Sequence, residues 1–336
     1  MPFTDMPLAQ LRAFTPAVRE PADFDVFWNE TLAEARTAAD LTGATASRTP
    51  ADSPITELIV EDLTFPGFNA DPVKAWVTRP KGDTGSAGRE GTEGGKLPVV
   101  VEFIGYNGGR GIVGERLQWA ASGYVHVLMD TRGQGSGWGT GGDTADPHGS
   151  TSAVSGWMTR GILDPKEHYY RRVFTDAARL VDEVRTWDFI DPARIAVTGG
   201  SQGGGIAIAA AGLSPDVWAL LPDVAFLCAW EHGTNVAISD PYQELSRYLA
   251  AHRNDVETVW NTAAYFDGVN FAKRITAPSL WSVALMDQVV PPSSTFAGFN
   301  ALASADKAIE VYPYNGHEGG QTYQWLKQAE FLAQRR

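Results

Sequence analysis

Arg194-Ile195-Ala196-Val197-Thr198-Gly199-Gly200-Ser201-Gln202-Gly203-Gly204-Gly205-Ile206-Ala207-Ile208 is the stretch on which the fold turns. Its opening is short and rich in β-branched residues, the composition of a buried strand. Its close is small and apolar, the composition of a helix packed tightly against its neighbours. Between the two, Gly199-Gly200-Ser201-Gln202-Gly203 sets a serine on a strand-to-helix turn. Backbone at such a turn is strained, and bulk two residues to either side would collide with the adjoining elements. The pattern alone is common. Flanked by a strand and a helix, it marks Ser201 as a nucleophile; the competing reading is a glycine-rich turn that packs closely or holds an anion at a helix N-terminus.

Outward from that stretch the chain alternates. Strands are predicted at 97–104, 124–129, 194–198, 223–228, 279–285 and 308–312, with helices at about 166–187, after 201, and from about 318. The helix at 166–187 carries a start signal, Asp164 as N-cap, Pro165 at the first position and Glu167 closing a capping box. Val173, Ala177, Leu180, Val181 and Val184 form its inward face. Strands separated by helices imply an α/β fold, a mostly parallel central sheet covered on both faces. Two further strands, 57–65 and 72–79, read as an antiparallel pair joined around Pro66-Gly67-Phe68-Asn69. Residues 1–50 read as an N-terminal arm with one helix, built on Phe24, Phe27, Trp28 and Leu32. Lys81 to Lys96 reads as a flexible surface loop, and 231–272 as a helical insertion over the carboxyl edge of the sheet. The whole, 1–336, is predicted as one domain.

A serine hydroxyl needs a base, and the base needs an orienting group behind it. On a sheet of this kind the order along the chain is Ser, then Asp or Glu, then His. Of the histidines beyond Ser201 and clear of the strand exit at 223–228, His252 falls inside the insertion, too early to follow an acid. His317 lies in Tyr314-Asn315-Gly316-His317-Glu318-Gly319-Gly320, just past the last strand, where small flanking residues let it reach over the sheet. Asp287 ends the strand before that one, at the edge from which ligand-facing groups come. Asp306 precedes a strand and so belongs at the opposite edge, and Asp267 lies in the insertion. The arrangement is that of the α/β-hydrolase fold, with Ser201, Asp287 and His317 as the triad.

Other chemistries are poorly supported. Gly137-x-Gly139-x-x-Gly142 matches a dinucleotide fingerprint but follows no strand and opens no helix. His317-Glu318 lacks the second histidine of a zinc protease, and no Cys/His cluster offers a metal site, so no cofactor and no metal are expected. Cys228 is the only cysteine, in the apolar run Val224 to Cys228, and reads as a buried inert thiol. A net charge of −13 without any basic run disfavours nucleic acid and anionic membranes as partners. With 43% hydrophobic residues, including 11 Trp, 15 Phe and 10 Tyr, the chain can bury a large core. No signal peptide or membrane-spanning run is visible, so a cytoplasmic location is expected.

Several segments together resemble carbohydrate esterase family seven, the acetyl xylan esterases and cephalosporin C deacetylases. Thr131-Arg132-Gly133-Gln134-Gly135 matches the family's R-G-Q element, Gly199 to Gly203 its G-x-S-Q-G, and His317-Glu318 its H-E. Tyr169 to Val173, Pro291-Pro292-Ser293 and Tyr312 to Gly316 also look like family sequence, and the likeness runs from about residue 20 to the end. The resemblance implies a triad on Ser201, Asp287 and His317, and an oxyanion hole from the N–H groups of Tyr106 and Gln202. It also implies site-shaping roles for Arg132 and Gln134, a small acetylated substrate, and a homo-oligomer, a hexamer with a helical insertion at its entrance. The chain departs from the pattern at Ile104, at Val290 and at Trp230-Glu231-His232, positions taken to lie near the pocket. Without the resemblance the triad is equally that of a short-chain carboxylesterase, lactone hydrolase, peptidase or acyltransferase. A catalytically silent binding protein would normally have lost a triad member.

Overall fold

A computed structural model describes residues 3, 5–81, 95–149 and 154–335. Nine strands form one sheet: β1 Ser47–Pro50, β2 Leu58–Pro66, β3 Pro72–Pro80, β4 Leu97–Phe103, β5 Val125–Met129, β6 Ile190–Gly200, β7 Ala219–Asp223, β8 Ser279–Ala284 and β9 Lys307–Tyr312. Their order is β1-β2-β3-β5-β4-β6-β7-β8-β9. β1, β2, β3 and β5 pair antiparallel, and every pairing from β5 through β4 to β9 is parallel. The chain passes from β4 out to β5, then crosses back to lay β6 on the other side of β4. That reversal opens a crevice at the carboxyl ends of β4 and β6, where ligands bind in open α/β sheets.

Strand residues alternate between two buried faces, as their period of two requires. Val99, Val101, Phe103, Ile195 and Val197 join the larger core with α4 Tyr169–Val184 and α5 Gln202–Leu213. Val100, Ala196, Ala219 and Leu221 face the other way, onto Trp119 of α3 Gln118–Ala121 and Leu332 of α11 Gln321–Ala333. The N-terminal arm contains α1 Leu8–Leu11, α2 Phe24–Thr42 and also β1, a strand too short and polar to show a pattern. Phe24, Phe27, Trp28 and Leu32 are the buried side of α2. The segment 231–272 carries α6 Trp230–Val236, α7 Tyr242–Ala251, α8 Val256–Ala263 and α9 Gly268–Ala272; α10 Pro292–Ala301 follows β8. The loop assigned to Lys81–Lys96 lies largely outside the described residues.

Two sequence expectations are corrected. The helix expected from 166 begins at Tyr169. Asp164 accepts from the Lys166 N–H at 2.8 Å and so closes a turn of its own, while His168 is the N-cap, its Nδ1 accepting from Tyr170 N at 3.2 Å. A short acid that bonds two residues ahead competes with helix initiation, and here it wins. The strand expected at 223–228 ends instead at Asp223. The apolar run beyond it is a buried loop with positive φ at Val224, Leu227 and Ala229. Its Phe226 N–H donates to Ser201 O at 3.0 Å, so the run holds the Ser201 turn rather than extending the sheet.

Candidate active site

Ser201 occupies the turn between β6 and α5 with φ 57° and ψ −121°, a positive-φ conformation that costs a non-glycine residue energy. Its neighbours make the turn possible. A Cβ at Gly203 would overlap the carbonyl of Phe103, and one at Gly199 would overlap Gly203 itself. Ser201 N donates to Asp223 O at 2.9 Å, tying the turn to the end of β7.

The three side chains expected to form a triad meet across three sheet loops. His317 Nε2 lies 2.9 Å from Ser201 Oγ, and His317 Nδ1 lies 2.8 Å from Asp287 Oδ2. The Asp287 carboxylate can only accept, so Nδ1 carries the hydrogen and Nε2 is left bare to take the serine proton. Asp287 is buried, and its other oxygen accepts from Val289 N at 2.8 Å and Val290 N at 2.9 Å. Val290, one of the departures from the family pattern, thus contributes a backbone N–H and a buried side chain. The rival candidates lie elsewhere. Asp306 pairs with Arg335 at the opposite edge of the sheet, Asp267 caps α9, and His252 stacks on Tyr248 at the end of α7.

Gln202 begins α5, and Tyr106 lies in the loop after β4; among the described residues neither backbone N–H has a protein partner. A helix's first N–H groups have no carbonyl within the helix to bond, which leaves Gln202 N free to donate beside Ser201. One buried network sets both positions. Gln134 Oε1 accepts from Asn107 N at 2.7 Å, and Gln134 Nε2 donates to Gln202 Oε1 at 2.9 Å. Gln202 Nε2 donates to Ile104 O at 3.1 Å, and Tyr170 donates to Gln202 Oε1 at 2.9 Å. Ile104 therefore acts through its carbonyl, its side chain being buried in the core. Arg132 sits deeper, fully buried, with both Asp176 oxygens at 2.6 and 2.8 Å and Asp71 at 2.9 Å. Its carbonyl accepts from Tyr169, which also receives Gln134 Nε2 at 3.0 Å.

Three contributors escaped the sequence analysis. Glu244 of α7 accepts from the Tyr106 phenol and from Gly156 N and Met158 N. Burial pushes the Glu244 carboxyl above its ordinary range, and burial together with Glu244 pushes the Tyr106 phenol far up. Nothing in Tyr242-Gln243-Glu244 signals this. Trp138 donates from Nε1 to Tyr106 O at 2.7 Å and lies against Gly105. Its glycine-flanked position in the rejected Gly137-x-Gly139-x-x-Gly142 match was the available clue, since Gly137 and Gly142 let that loop press onto Asn107 and Asp130. Asp223 closes the strand beside the nucleophile's own, and carboxyl ends of such strands were the place to look. Glu231 and His232, by contrast, turn away from the triad. Glu231 pairs with Arg19 at 3.4 Å, and His232 lies 2.8 Å from Ser293 Oγ.

The site opens into two lobes that share Gly105, Trp138, Ser201 and His317. One, of about 320 Å³, is bounded by Tyr106, Pro241 and Val289. The other, of about 490 Å³, runs past Glu102, Arg116 and Asp223 toward Trp325 and Gln328 of α11. No helix among the described residues is long and apolar enough to cross a membrane.

The family model described as acetyl xylan esterase (AXE1) matches residues 1–335. The curated acetyl esterase Axe7A of Xylanibacter ruminicola is 28% identical over an alignment of 320 residues that covers 90% of this chain but 64% of that protein. The chain therefore spans a little under two thirds of that relative's length. The solved acetyl xylan esterase from Paenibacillus sp. R4 is 36% identical with a TM-score of 0.86, covering 98% of this chain and 99% of that one. Acetyl xylan esterase 1 from Thermoanaerobacterium sp. JW/SL YS485 is 32% identical with a TM-score of 0.85 over the same shares. An acylaminoacyl peptidase of Pyrococcus horikoshii, 18% identical with a TM-score of 0.56, covers 83% of this chain and 41% of its own and shares the fold alone.

Proposed function

This chain belongs to the acetyl xylan esterase family, and on that premise we propose that it removes acetyl groups from acetylated sugars and related small esters through an acyl-enzyme on Ser201. The observation that carries this reading is the line of hydrogen bonds Ser201–His317–Asp287, at 2.9 and 2.8 Å, beside two free backbone N–H groups.

His317 takes the hydroxyl proton as Ser201 Oγ attacks the ester carbonyl carbon. The developing oxyanion is held by the N–H groups of Tyr106 and Gln202, donors already in place that need no reorganisation. Collapse expels the alcohol, which leaves with the proton from His317. Water then attacks the acetyl-serine, His317 again acts as base, and acetate departs. Asp287 keeps the imidazole in the tautomer that both steps need.

Cephalosporin C is proposed as a further acetyl ester for this site. A cytoplasmic location is also proposed, and a homo-oligomeric, hexameric assembly is proposed on the family resemblance alone. Light scattering on the purified protein measures the assembly. The activity is tested by acetate release from a panel of acetylated xylo-oligosaccharides, p-nitrophenyl acetate and cephalosporin C. Release from the acetyl esters supports the reading, and release from none of them overturns it.

A further inference from the structure

The larger lobe is polar in a particular way. Glu102, at the end of β4, is held by Arg116 and by His126 Nε2 at 2.9 Å. Burial pushes its carboxyl up, but Arg116 and His126 outweigh that and bring it down to about 2, so it stays charged and Arg116 is spent on it. Asp223, at the end of β7, is the second carboxyl. Its Oδ1 accepts from Gln328 Nε2 at 2.9 Å and Ser282 Oγ at 3.1 Å. Its Oδ2 has no partner among the described residues, and Asp223 lines the lobe that begins at Ser201. Trp138 and Trp325 supply flat apolar walls to the same space. Glu318, next to the base, adds a further negative charge at the mouth.

The smaller lobe offers Pro241, Val289 and the Tyr106 ring, surfaces suited to a methyl group, which neither donates nor accepts; of its polar members, Asn107 donates to Ser155 and Asp240 accepts from Arg247. An acetyl group fits there. The alcohol half of the ester then falls in the larger lobe. An acceptor without a partner calls for a donor, and aromatic walls suit the apolar face of a ring that carries its hydroxyls at the edge. At pH 8, above the value of about 7 to which burial raises Asp223, both carboxylates are ionised, and with one committed arginine they repel an anion in the same space.

We propose that this lobe is the alcohol subsite and that Asp223 is its specificity-determining residue, accepting a hydrogen bond from a hydroxyl of a neutral polyhydroxylated alcohol and disfavouring alcohols that carry a carboxylate. The proposal rests on the acetyl esterase reading and narrows it. It ranks acetylated neutral sugars above cephalosporin C for this chain.

The test is the ratio of kcat/KM for an acetylated xylo-oligosaccharide to that for p-nitrophenyl acetate, at pH 8. Asp223→Asn keeps an oxygen for Gln328 and Ser282 and turns the free oxygen into an amide donor of the same shape. The ratio should fall roughly 10-fold to 100-fold, the range for losing a hydrogen bond to a charged group. An unchanged ratio overturns the proposal, whether both activities fall together or neither falls. A second measurement, also at pH 8, needs no variant. The wild-type protein should show a kcat/KM at least about tenfold lower for an acetylated uronic acid than for the matching neutral sugar, the effect of one uncompensated like charge in a poorly screened site; equal or better turnover of the anionic ester overturns the proposal. Wild-type protein that hydrolyses no acetyl ester fails the functional reading itself, and that result is visible before any variant is made.

Discussion

The phenol of Tyr106 donates to the carboxylate of Glu244, with its oxygen 2.7 and 2.8 Å from the two carboxylate oxygens. This contact joins the loop after β4, which carries one of the two proposed oxyanion donors, to α7 of the helical insertion. Trp157 N donates to the same phenol at 2.9 Å, so the insertion and the 156–158 turn together fix the loop. Glu244→Ala should therefore lower kcat on a small acetyl ester about 10-fold or more with little change in KM, approaching but not exceeding the 10²–10³ that full loss of an oxyanion donor costs. Glu244→Gln keeps an acceptor and should recover most of that loss. Steady-state kinetics on both variants check this, and equal kcat in wild type and Glu244→Ala would show that the contact is incidental.

Asp287 and Asp306 make opposite predictions. Asp287→Asn leaves the shape of the triad but favours the wrong imidazole tautomer, and should reduce kcat by about 10⁴. Asp306 pairs with Arg335 on the surface at the far edge of the sheet, and Asp306→Asn should leave kcat within about twofold, as exposed ion pairs contribute little. The pair of measurements needs only one substrate.

Arg132 should be a stability residue first. It is fully buried against Asp176, Asp71 and Asp146, with Arg172 on the far side of Asp146. Arg132→Met strands the Asp176 charge and should cost about 3–5 kcal/mol in urea unfolding, the usual penalty for removing one partner of a buried pair. Adding Asp176→Asn to that variant should restore part of the loss, because the stranded charge goes with it.

Two buried groups give stability opposite slopes with pH. Burial depresses His168 from 6.5 to about 3, so it folds neutral, capping α4 through Nδ1 and stacked on Phe266. Its contribution is whole above about 6.5 and is lost as pH falls toward 3, because the unfolded chain takes up the proton first. His168→Asn keeps a capping acceptor but cannot titrate, so its deficit in Tm should be smaller at pH 5 than at pH 8. Burial raises Asp223 from 3.8 to about 7, so stability falls as pH rises through that interval. Asp223→Asn should therefore gain stability relative to wild type at pH 8 and not at pH 4.

Much of this was legible because it rests on local pattern. The strand before Ser201 and the small-residue helix after it announce themselves in fifteen consecutive residues, and the Ser–Asp–His order is the one this fold places along the chain. Asp287 was separable from Asp306 because one ends a strand and the other begins one. What stayed hidden depends on contacts far apart in sequence. Glu244 meets Tyr106 across 138 residues, and no local period records such a pairing. The Val224–Cys228 run reads as strand because burial and hydrophobicity are shared by strands and buried loops alike; its positive φ at Val224 and Leu227 and the hydrogen bond to Ser201 O mark it as a loop. Asp164 misled for the opposite reason, since a capping acid and a turn-closing acid have the same sequence signature.

In the proposed mechanism Ser201 is the group that becomes acylated. Intact-protein mass spectrometry after brief exposure to a fluorophosphonate, followed by peptide mapping, tests that directly. One adduct should form per chain, on the peptide that holds Gly199 to Gly203, and Ser201→Ala should neither be labelled nor turn over an acetyl ester. An adduct on another residue, or acetate release by folded Ser201→Ala at the wild-type rate, would contradict the account.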